Sequence, residues 1–153
     1  MQLLAVKINA RLAQAGAGRN DGGISWGTAL KLLLDTHTLL WWLADSPQLS
    51  AKARSAVARA STVYVSAVTV WEISIKKACG KLKAPDDLEE ALLMSDFAQL
   101  PITAAHAWAA GALPLHHHDP FDRMLIAQAR AESLTLATRD EAMRKYPVRV
   151  LSV

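Results

Sequence analysis

Four short apolar runs recur along the second part of the chain, each separated from the next by longer stretches of helical spacing: LLL at 32–34, VYV at 63–65, LTLA at 134–137 and VRVL at 148–151. No other feature restricts the fold as much. A strand that is apolar at nearly every position, instead of at alternate ones, has to be covered on both faces. Patterns of helical period fill the gaps over 37–44, 51–60, 67–79, 87–96, 103–112, 120–132 and 140–145. A fifth strand, at an edge, fits AQLPI at 98–102. Strands alternating with helices predict an α/β fold: a mostly parallel sheet of four to five strands between two helical layers.

Such a sheet needs a core, and 153 residues that are 52% hydrophobic and 20% charged are enough to bury one. Residues 15–30 hold five of the seven glycines and read as a connector, so the folded domain is expected over 31–153. Residues 1–30 then form a flexible extension, with Leu30 a candidate alternative start codon inside a longer assigned frame. Charge divides at the same place. Lys7, Arg11, Arg19 and Lys31 against Asp21 leave the first 31 residues at +3, while the remainder holds 13 basic and 13 acidic residues. The domain is therefore not a bulk polyelectrolyte binder, and nucleic acid would have to be met by local patches. Cys79 is the single cysteine, which excludes an internal disulfide and fits a reducing, cytoplasmic setting. No apolar run reaches the roughly 18 residues of a membrane span. Residues 1–14 lack the features of a secretory signal.

Parallel sheets bind ligands beyond the carboxyl ends of their strands. Asp35 directly follows LLL, and Asp140 lies just past LTLA. Glu72 falls about two turns into the helix after VYV, and Asp119 and Asp122 stand three residues apart at the start of another helix. Taken singly, each has an ordinary explanation. Asp35 and Asp119 suit helix caps, Asp122 suits a first turn, and Glu72 and Asp140 can pair with Lys76 and Arg144. Their joint placement on one rim is what those explanations do not cover. Crowded carboxylates repel unless a cation neutralises them, and oxygen-only donors suit Mg²⁺, with Mn²⁺ as the alternative. The chemistry this favours is hydrolysis of a phosphodiester.

The run His116, His117, His118 invites a zinc assignment. Adjacent side chains cannot all point one way, however, and no second His or Cys pair stands at finger-like spacing. One or two of these imidazoles are expected at the rim, with His118 touching substrate or orienting Asp119. His37 and His106 read as ordinary helix residues, and Trp41, Trp42, Trp71 and Trp108 as core or subunit-contact residues. Arg123 and the Lys76–Lys83 region are candidates for RNA backbone contacts, although a solvated helix face explains those charges equally well. Neither GxxxxGK[ST] nor GxGxxG occurs.

Three segments, LLLDTHTLLWWLADSPQLS, VYVSAVTVWEISIKKACGKL and LPLHHHDPFDRMLIAQARAESLTLATRDEAM, resemble in that order the PIN-domain proteins, and most closely the VapC-type toxins of bacterial type II toxin–antitoxin pairs. The resemblance covers about residues 31–153. It implies a three-layer α/β/α fold, an acidic Mg²⁺ site and ribonuclease activity. By residue-for-residue match it implies that Asp35 and Asp122 are direct metal ligands, that Glu72 is a ligand or orienting group, and that Asp140 acts through water. Asp119 belongs to an HxDPFD variant of the motif, as cap, auxiliary ligand or both. Thr36 and Thr138 match the small hydroxyl residues beside these acids. The partners implied are RNA, a cognate antitoxin and a second copy of the chain. The rival readings are a PIN-type RNA-processing nuclease without toxicity and a non-catalytic protein-binding module whose acids serve as caps.

Overall fold

The computed structural model describes residues 29–84 and 86–153. The expected N-terminal extension lies almost entirely outside the described residues. Leu30, counted with that extension, belongs to the domain: its carbonyl accepts from both the amide and the hydroxyl of Ser61, each at 2.8 Å.

The elements run in the order β1 (Lys31–Leu34), α1 (Thr36–Leu43), α2 (Ala51–Arg59), β2 (Thr62–Ser66), α3 (Ala67–Ala78), α4 (Leu88–Leu93), β3 (Ala98–Leu100), α5 (Ala104–Ala112), α6 (Pro120–Ala131), β4 (Thr135–Thr138), a 3₁₀ turn (Glu141–Lys145) and β5 (Arg149–Ser152). Five strands form one sheet in the order β3-β2-β1-β4-β5, and all the pairings are parallel. In the central strand Leu33 stands opposite Tyr64 on one side and Leu136 on the other.

The central strands are apolar throughout because both faces are covered. Leu32 and Leu34 join Leu39, Trp42, Ala53, Val57 and Ile73 in one core, and Leu33 joins Leu125, Ile126, Leu136 and Met143 in the other. This is the expected three-layer arrangement. Helix α3 feeds both cores, Val68 into one and Ile73 into the other. Its start is tied by Ser66, which accepts from the Val68 amide at 3.0 Å and donates to Gln128 of α6 at 2.6 Å. Its end is a Schellman closure around Gly80 at φ +67°, with Lys81 N–H bonded to Lys76 O at 2.8 Å.

Four expectations are corrected at the periphery. The helix expected over 87–96 spans only Leu88–Leu93, and 140–145 forms a 3₁₀ turn, not an α-helix. AQLPI pairs only as far as Leu100, since Pro101 has no N–H to give a ladder. VRVL is an edge strand with Arg149 and Ser152 exposed, not a buried one. No described helix is long and apolar enough to cross a membrane.

The topology also locates the site. From β1 the chain steps outward through β2 to β3, then crosses back to place β4 on the other flank of β1. Connections leave β1 and β4 in opposite directions, which opens a crevice at their carboxyl ends.

Candidate metal centre

Asp35 sits at that crevice because it is the first residue beyond β1. Its N–H extends the ladder to Ala137 O at 3.1 Å, and its Oδ1 caps α1 by accepting from Thr38 N at 2.7 Å. The Thr38 hydroxyl donates to the same Ala137 carbonyl at 3.1 Å, so both ends of the turn are pinned. Glu72, only 4% exposed, reaches the crevice from α3. It accepts from the Thr36 hydroxyl through Oε2 and pairs with the Lys76 ammonium through Oε1.

Asp119 and Asp122 come from the start of α6, where Pro120 occupies the first helical position. Asp119 Oδ1 accepts from the amides of Phe121 at 2.8 Å and Asp122 at 3.3 Å. Asp140 caps the 3₁₀ turn through Oδ1, which accepts from Ala142 N at 2.7 Å. His117 joins the two groups. Its Nδ1 accepts from Asp119 N–H at 3.1 Å, so the ring carries its proton on Nε2. Its Nε2 hydrogen-bonds to Asp140 Oδ2 at 2.8 Å and lies 3.1 Å from Asp122 Oδ2.

The electrostatics follow from this crowding. Burial first, then the charge of Asp119, with further repulsion from Glu72 and Asp35, pushes the Asp122 carboxyl up to about 7 against the opposing pull of His117. Burial acts to raise Asp140 as well, but the His117 hydrogen bond, the Ala142 amide and the charges of His117 and His37 outweigh it and hold that carboxyl below its ordinary value. The hydrogen bond to Glu72 raises the Lys76 ammonium; desolvation works against it, while Glu72, Asp119 and Asp122 add their attraction. Among the described residues, Asp35 Oδ2, Asp119 Oδ2 and Asp122 Oδ1 accept no hydrogen bond. Three carboxylate oxygens from β1 and α6 are thus open, in surroundings that disfavour leaving them all charged. Among the described residues, the side chains whose ligand atoms all come within 4.8 Å of one another are His117, Asp122 and Asp140, and that is where a divalent cation could be held.

Residues 32–148 match the PIN domain family. The chain belongs to it. Ribonuclease VapC22 of Mycobacterium tuberculosis is 29% identical over 118 residues, which are 75% of this chain and 91% of that protein. Among solved structures, VapBC2 from Rickettsia felis bound to a DNA fragment from its promoter superposes with a TM-score of 0.62 at 17% identity, covering 80% of this PIN domain chain and 98% of that one. FitAcB from Neisseria gonorrhoeae superposes at 0.60 with 25% identity, covering 79% and 96%.

All five acids expected at the rim of this PIN domain stand in one neighbourhood, Asp140 joining the rest through His117. The histidine that meets them is His117, not His118, which is exposed, while His116 stacks edge-on against Tyr146 at 5.2 Å between ring centroids. Asp140 does not pair with Arg144, which reaches Glu141 at 3.5 Å. Nor is Arg123 a surface RNA contact. It is buried, and its guanidinium donates to the carbonyls of Ala110 (2.9 Å), Leu113 (2.8 Å), Pro114 (2.9 Å) and His117 (3.1 Å), closing the C-terminal end of α5 and fixing the loop that carries His117. Of the Lys76–Lys83 group, Lys76 and Lys77 are engaged with Glu72 and Asp86. Of the tryptophans expected in the core or at a subunit contact, Trp42 is buried in the core, while Trp71 and Trp108 are 57% and 82% exposed.

Proposed function

We propose that the chain is a Mg²⁺- or Mn²⁺-dependent ribonuclease and the toxin of a toxin–antitoxin pair, acting in the cytoplasm. The observation that carries the reading is the set of open carboxylate oxygens at the switch point of a PIN domain similar to Ribonuclease VapC22. In this reading Asp35 and Asp122 hold the ion, and Asp119, beyond its capping role, supplies a third oxygen. Glu72, held between Thr36 and Lys76, orients the cluster from the α3 side, and Asp140 contributes through water. A divalent ion held there supplies Lewis acidity toward water and toward a phosphate oxygen. The chain's own part is to fix that charge at the end of β1, exclude bulk water with the buried Glu72 side, and leave the Asp122 side open to a phosphodiester.

Two apolar surfaces suit the protein partners. A groove of about 490 Å³ lined by Val65, Val70, Trp71, Leu92, Phe97 and Leu100 borders the acids, since Trp71 packs edge-on against Phe121 at 5.2 Å. It is fitted to an antitoxin segment. The alanine-rich outer face of α5, with Trp108, is fitted to a second copy of the chain.

Purified protein should cleave RNA with Mg²⁺ or Mn²⁺ and stop on chelation, and Asp35→Asn should lose at least about a hundredfold. Induction should arrest growth, and co-expression of the neighbouring gene should relieve it. RNA cleavage without growth arrest would leave an RNA-processing nuclease. Failure of wild-type protein to bind either ion in a calorimeter would favour the non-catalytic module.

A further inference from the structure

On the basis of the nuclease reading, we infer that His117 competes with the metal: its Nε2–H occupies the gap between Asp122 and Asp140 that a cation must enter to draw Asp140 toward its coordination shell.

The ring cannot serve as a ligand in the orientation it holds. Nδ1 accepts the Asp119 amide at 3.1 Å, so a hydrogen and not a lone pair faces the two carboxylates. Moving the proton to Nδ1 would set it against the Asp119 N–H. Asp140 is equally committed, with Oδ1 taken by Ala142 and Oδ2 by His117. Asp122 Oδ2 lies 3.1 Å from the same His117 nitrogen, and its Oδ1 stays open. An ion can therefore meet the open oxygen of Asp122 while His117 stays in place. Engaging Asp140 and the second oxygen of Asp122 requires the ring to swing away.

The backbone is built to let that happen without unfolding. His117 N–H donates to the Tyr146 hydroxyl at 2.8 Å, and its carbonyl accepts from Arg123 at 3.1 Å. Tyr146 in turn donates to Pro114 O at 2.8 Å. The main chain is clamped from two sides, and only the side chain has to move. Its job is that of a hydrogen-bonding spacer: it sits between Asp122 and Asp140 before the metal arrives, and loading displaces it.

Competition and coordination predict opposite signs. Calorimetric titration of the full chain with Mg²⁺ should show His117→Leu binding roughly tenfold tighter than wild type, about what one hydrogen bond to a charged group is worth. His117→Gln keeps an N–H donor at this place and should stay near wild type. Weaker or unchanged Mg²⁺ affinity in His117→Leu would overturn the inference, since a ligand or an orienting group gives loss and a bystander gives nothing. If the leucine variant fails to fold, ¹⁵N spectra of wild-type imidazoles decide. Mg²⁺ saturation should leave Nε2 protonated but break its bond to Asp140, whereas a coordinated Nε2, or an undisturbed bond, refutes the competition. A wild-type chain that binds no Mg²⁺ removes the nuclease reading and this inference together. Binding that is indifferent to position 117 removes only the inference.

Discussion

Crowding of the acids should be measurable with no metal present, at Asp122. Its carboxyl titrates near 3.8 in an unfolded chain and about 7 in the folded one, raised first by burial and then by Asp119. Between these values the native protein holds a proton that the unfolded chain has released. Stability from this group is therefore complete below about pH 4 and is lost as the pH rises toward 7. A rise of roughly three units at about 1.4 kcal/mol each sets a ceiling near 4 kcal/mol. With 23% of the side chain meeting water, a working figure is about 2–3 kcal/mol. Asparagine has nearly the same shape and never ionises. Urea denaturation in chelator should find Asp122→Asn about equal to wild type at pH 4 and about 2–3 kcal/mol more stable at pH 8. The same variant should lose RNA cleavage, because the charge that weakens the apo fold is the one the metal needs. If the stability curves of the two proteins run parallel from pH 4 to 8, Asp122 is not strained by its neighbours and the case for a cation-demanding site loses its main physical support.

Other perturbations test the surrounding scaffold. Adding Mg²⁺ should raise the melting temperature of wild type and leave Asp35→Asn nearly unmoved, as followed by differential scanning; an equal shift in both would place the ion elsewhere. Arg123→Met leaves the buried carbonyl of Leu113 without a donor and that of Ala110 with only the 3.4 Å bond from Leu113 N–H, and should cost about 3 kcal/mol in chemical denaturation. Ser66→Ala removes both the α3 cap and the link to Gln128 and should cost about 1–2 kcal/mol, with a loss under half a kcal/mol counting against that link.

What was legible in the sequence and what was not divides along a physical line. The acids could be placed because each obeys a short-range rule: Asp35 ends an apolar strand, Asp119 precedes a helix-starting proline, and Glu72 falls on the α3 face between Val68, Ile73 and Lys76. Strand direction then carries them all to one edge, since parallel strands have their carboxyl ends on the same side. VRVL, read as buried, and AQLPI, an edge strand as expected but shorter by two residues, lie at the sheet margins, where apolar content no longer reports two covered faces. The choice of His118 among the three histidines, and the reading of Arg123, failed for a different reason. His116, His117 and His118 have the same chemistry, and only the turn of the loop over 113–119 decides which ring meets Asp140 and which stacks on Tyr146. That turn is set by Arg123 gathering five carbonyls and by the Tyr146 hydroxyl arriving 29 residues later in the chain, neither of which leaves a periodic trace. The local pattern His-x-Asp-Pro held a usable signal: a ring two residues before a helix cap can accept the cap's own N–H, and then its other nitrogen has to face whatever that cap faces.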